Sequence, residues 1–82
     1  MSEPDEAVAR VRAKILTRLL PKQDCRRTWH GYGTGVTCAA CDRPVDASEV
    51  EVECELPGGG TLRLHLACYE IWVREWPTCE LT

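Results

Sequence analysis

Four residues carry metal-ligand chemistry at metal-ligand spacing. They form two pairs, Cys38-Ala-Ala-Cys41 and His65-Leu-Ala-Cys68, separated by 23 residues. Thiolate sulfur and imidazole nitrogen are the donors zinc takes at about 2.0–2.3 Å in a tetrahedron, and a two-residue gap lets both members of a pair face one ion. The set therefore predicts one structural Zn²⁺ held by Cys38, Cys41, His65 and Cys68. Four protein ligands fill the shell and leave no position for a reactive water, so no catalytic residue and no enzyme are expected. A redox dithiol at Cys38 and Cys41, disulfides, and unrelated buried thiols compete for the same residues. Two pairs flanking a hairpin and a helix favour zinc over all three.

Cys25, Cys54, Cys79 and His30 remain. Their spacing is irregular and none forms a two-residue pair, so a second metal site is not expected. Cys54 shares a strand face with Val50, Val52 and Leu56 and reads as a buried thiol. Cys25 and Cys79 read as free. Gly31, Gly33 and Gly35 suggest a phosphate cradle only weakly, because a dinucleotide loop needs a strand before it and a helix after it.

The elements that must position these ligands are legible in part. Val8, Val11, Ile15 and Leu19 recur at helical intervals, with Leu16 and Leu20 widening the stripe, which predicts an amphipathic helix over residues 4–20. Ser2 and Asp5 fit a capping box, and Pro21 is expected to stop the helix. Residues 21–37 lack apolar periodicity and read as an irregular connector, with Trp29 or Tyr32 packed on the metal lobe. From Glu49 onward Val50, Val52, Cys54 and Leu56 alternate with Glu51, Glu53 and Glu55, the pattern of a half-buried strand. Pro57-Gly58-Gly59-Gly60 turns the chain, and residues 61–65 return, placing Arg63 opposite the glutamates. Leu66, Tyr69, Trp72 or Val73, and Trp76 then mark a helix that Pro77 ends. The fold class is a small zinc-stabilised α+β domain spanning residues 1–82, with its metal-binding core at 38–76.

This order resembles the treble-clef zinc fingers, in which a Cys-x-x-Cys knuckle, a β-hairpin and a helix bearing the second ligand pair surround one ion. The spacing is also similar to the first zinc site of LIM domains. Where a LIM domain places a cysteine to begin its second site, this chain has Ile71. The resemblance therefore implies the single-site fold without the second site.

An 82-residue chain buries only about 60% of its unfolded surface, so a staple is expected. The acidic N-terminus lacks the apolar core of a signal peptide, and no run is long enough to span a membrane. These features predict a reduced, cytoplasmic setting. Residues 1–27 hold seven Lys/Arg against four Asp/Glu, whereas residues 38–82 hold three against nine. An acidic metal half disfavours nucleic acid, whose binding rests on neutralising phosphates. The expected role is a non-catalytic protein-interaction or regulatory adaptor with a protein partner, Trp72 and Trp76 being read first as core packing and second as interface anchors. The alternative is a nucleic-acid-binding regulator using the basic N-terminal segment.

Overall fold

Helix α1 (Asp5–Leu16) begins the computed structural model, which describes residues 5–79. The expected capping box falls on Ser2 and Asp5 and lies outside the described side chains. Strand β1 (Arg27–Tyr32) follows, then β2 (Val50–Glu55), β3 (Thr61–His65), helix α2 (Leu66–Glu75) and a 3₁₀ turn at Trp76–Thr78. The strands form one antiparallel sheet in the order β1-β2-β3. The architecture is a small α+β fold with both helices packed together.

Helix α1 ends four residues before the apolar stripe does. Arg18 turns left-handed at φ 66°. The Leu19 amide donates to the Lys14 carbonyl at 2.8 Å and the Arg18 amide to Ile15 at 3.0 Å, the paired bonds of a Schellman stop. The reversal aims Leu20 into the core, fully buried, while Leu19 is 63% exposed. Helical periodicity predicted the opposite for Leu19, because it assumes that the helix runs on to Pro21. Val11 and Ile15 keep their predicted place beneath α1.

The expected connector contains strand β1. Its sequence, RTWHGY, has no alternation, and its outer positions are mostly exposed. Its strand geometry comes from pairing with β2, Thr28 opposite Cys54 and His30 opposite Val52. This pairing corrects two cysteine assignments. Cys25, just before β1, is brought within 5.5 Å (Cα–Cα) of Cys54, and the two form a disulfide, so neither is a thiol. Trp29 (47% exposed) and Tyr32 (82%) do not pack on the metal lobe.

The hairpin of β2 and β3 has the expected register, with Arg63 opposite Glu53. Glu51 stays on the acidic face but is buried there, its carboxylate accepting the Thr34 amide at 2.9 Å and hydroxyl at 2.8 Å. Trp72 is the largest fully buried side chain, its indole N–H donating to the Pro21 carbonyl at 2.9 Å. It is core, as is Cys79, so Trp72 offers no interface anchor. Gly33 lies where an added Cβ would sit 2.0 Å from the Asp46 carbonyl oxygen.

Ile15→Ala should lower stability by about 2–5 kcal/mol through lost burial and a cavity. Leu19→Ala should change it by less than about 0.5 kcal/mol. Urea denaturation of both variants measures the contrast, and equal losses would mean that the helix does not stop at Arg18.

Candidate metal centre

The knuckle is built by the short loop that carries the first ligand pair. The Cys38 amide donates to the Arg43 carbonyl at 2.9 Å and the Asp42 amide to the Cys38 carbonyl at 3.0 Å. Asp42 closes the turn at φ 65°. Thr37 and Pro44 bridge at its base, so Cys38 and Cys41 face the same side. The second pair straddles a junction: His65 is the last residue of β3 and Cys68 lies in the first turn of α2.

The structure brings all four predicted ligands together. Their donor atoms lie within 4.8 Å of one another, so the cluster can hold a metal ion. Cys41 Sγ is 3.4 Å from His65 Nδ1. Tetrahedral bonds to sulfur and nitrogen of ordinary zinc length separate those atoms by about 3.5 Å. The donor set and its spacing therefore fit zinc.

The surroundings fix the ligands. Cys38, fully buried, accepts hydrogen bonds from the Ala40 and His65 amides, each at 3.4 Å. His65 Nε2 pairs with Glu49 Oε1 at 3.2 Å, which leaves Nδ1 as the nitrogen facing the cluster. Glu49 is itself held, its carboxylate accepting the Asp46 amide at 2.9 Å while its own amide donates to the Asp46 carbonyl. Carboxylates in this position orient a ligating histidine and raise its basicity. Lys14 ties α1 to the knuckle, donating to the Ala39 carbonyl at 3.2 Å and to Asp42 at 2.8 Å.

Glu49 and Lys14 were missed by sequence reasoning. The Asp46-x-x-Glu49 spacing was the available signal for one, since it matches a capping box. Lys14 had none. Cys79 stays buried in the core away from the ligands, and His30 meets the Tyr69 ring edge-on at 6.5 Å. With Cys25 and Cys54 bonded to each other, the leftover residues gather no second site among the described residues.

Without metal the sulfurs share protons unequally. A hydrogen bond from Cys68 holds the Cys38 thiol down at about 4, against the effect of burial. The same bond, with burial, pushes the Cys68 thiol far above the usual range. Burial works against charge on His65, but hydrogen bonding to Cys38, with the Cys38 and Glu49 charges, raises its pKa overall. The Arg43 guanidinium pKa is raised by hydrogen bonding to Cys41 and by that sulfur's charge.

Metal binding needs a Cys68 thiolate and a neutral His65, both of which hold their protons to higher pH than usual, so binding must release protons. Cys41 must ionise as well, so at neutral pH uptake should acidify a weakly buffered solution by roughly two to three protons per ion. Affinity should fall about a hundred- to a thousandfold for each unit of acidification below pH 7. Calorimetry in buffers of different ionisation enthalpy measures the release; a pH-independent affinity would mean that these side chains are not the ligands. Glu49→Ala should weaken binding by about 10–100-fold with the ligand set intact.

Comparison of the chain with protein-family models, with curated proteins and with solved structures finds no match.

Proposed function

We propose that this protein is a structural zinc-binding module acting as a non-catalytic protein-interaction or regulatory adaptor. The observation that carries the reading is the convergence of three cysteines and one histidine from two chain segments on a single point. Soft thiolates with one imidazole in a closed tetrahedral set select zinc over magnesium, calcium or manganese. The order of knuckle, hairpin and helix supports a treble-clef arrangement around that ion. Bound there, zinc would supply a cross-link between the knuckle and the β3–α2 junction.

Charge pairing supports a protein partner over nucleic acid. Arg12 meets Glu75 at 2.7 Å, Lys14 meets Asp42, and Arg10 lies 3.8 Å from Glu6. Lys22 donates to the Cys79 carbonyl. Much of the basic N-terminal segment is thus turned inward or neutralised, which leaves little of the positive stripe that a duplex requires. Exposed Tyr32 and Val50 stand opposite each other on the sheet and supply apolar contact area.

No helix among the described residues is long and apolar enough to cross a membrane. Cytoplasmic placement rests on the metal thiols, which must stay reduced to bind. The Cys25–Cys54 disulfide pulls toward an oxidising setting, where such bonds persist. Trapping free thiols with an alkylating agent before extraction decides between the two.

Native mass spectrometry should find one zinc per chain, and chelation should unfold the hairpin and α2 together, because metal contributes on the order of 10 kcal/mol in small domains. A metal-free chain that kept its native amide dispersion would overturn the structural-zinc reading. Retention of a DNA duplex at about 150 mM salt would move the function to the nucleic-acid alternative.

A further inference from the structure

The two edges of the sheet are treated differently. Along β3 the knuckle covers the outer edge: the Ala39 amide donates to the Arg63 carbonyl at 2.9 Å, and the His65 amide donates to Cys38 Sγ. Along β1 the described residues provide no such cover. The Gly33 amide donates to the Glu49 carbonyl at 2.9 Å. By the alternation of an antiparallel ladder, Trp29 and Gly31 face β2, whereas Thr28, His30 and Tyr32 turn their amides and carbonyls outward. Natural edges are usually guarded by lysine, proline or a bulge. The stretch from Thr28 to Tyr32 has neither lysine nor proline, and it carries Trp29 at 47% and Tyr32 at 82% exposure.

We propose that the open edge of β1 pairs antiparallel with β1 of a second copy, joining the two sheets about a two-fold axis. The fullest overlap sets His30 opposite His30 of the second copy and Thr28 opposite its Tyr32. In that register Trp29 stands opposite Gly31 of the second copy. Gly31 has no neighbour within 4 Å of where a Cβ would be, so the indole covers bare backbone. Arg27, the one residue of β1 charged at every working pH, stands opposite Gly33 of the second copy. It therefore points toward that copy's Glu49, which is paired with Gly33 and half exposed. Each copy brings the positive charge of Arg27 to the other's Glu49, and no carboxylate faces a carboxylate across the seam.

A second copy is favoured over open-ended assembly because only one edge is left open by the described residues. Once β1 is paired, each remaining edge is a β3 covered by its knuckle, so the assembly closes at two. The small contact predicts a weak dimer, with a dissociation constant of roughly 1–100 µM.

Sedimentation equilibrium of the full metal-loaded chain between about 1 and 300 µM tests this. Monomer–dimer behaviour in that range is expected. A monomer throughout, or assembly beyond two, would overturn the proposal while leaving the metal count untouched. His30→Pro removes an outward-facing amide, a position where an edge strand tolerates proline. It should weaken the dimer at least about tenfold with one metal per chain retained. Trp29→Lys, which places a charge on the edge and leaves the backbone unchanged, should do the same even if the proline variant fails to fold. Unchanged dimerisation in the lysine variant would rule out pairing through β1.

Discussion

The sulfur of Cys38 is where the sheet, the knuckle and the second helix are joined. It accepts the Ala40 amide within its own loop and the His65 amide at the end of β3, and it meets the Cys68 thiol from α2. Beside it the Ala39 amide takes the Arg63 carbonyl, so the knuckle lies along β3 in place of a fourth strand. One loop therefore covers a sheet edge and presents two metal ligands. Neither task can be disturbed alone, because the same few backbone groups perform both. A buried sulfur with several donors also favours the charged thiolate, which is the form a metal needs.

Helix α1 depends on that platform. It contributes Val11 and Ile15 to the core and reaches the knuckle through Lys14 and α2 through the Arg12–Glu75 pair. The ion pairs are partly exposed and are each worth no more than about 1 kcal/mol. Burial of the two aliphatic side chains outweighs them. The basic residues of the N-terminal segment thus orient the helix on its own domain, and the apolar stripe is consumed there.

What could be read in the sequence was whatever is specified by neighbours along the chain. Paired ligands, the alternation of the β2 hairpin and the apolar face of α2 are local signals, and they fall where their spacing puts them except at Val50, which is 40% exposed. Residues 27–32 carry no such signal, because an exposed edge strand containing Gly31 has no face that must be apolar. Missing β1 also hid the disulfide, since Cys25 nears Cys54 only after the strand pairs. Leu19 and Leu20 exchanged roles because the left-handed turn at Arg18 obeys no periodicity. Glu51 keeps the face that alternation gives it but is covered there by Thr34, a contact across 17 residues. Glu49 escaped notice because its role is conferred by His65, far away in sequence.

The disulfide and the candidate metal cluster interlace along the chain. The loop closed by Cys25 and Cys54 contains Cys38 and Cys41, and the loop from Cys38 to Cys68 contains Cys54. Neither nests inside the other, which bears on the order of events as the chain is synthesised from its N-terminus. Cys25, Cys38, Cys41 and Cys54 all emerge before His65 and Cys68, so the disulfide partners meet while the first ligand pair still lacks the second. Pairing of β1 with β2 therefore does more than extend the sheet: it seats Cys25 against Cys54 and so holds both apart from the sulfurs of the candidate metal cluster.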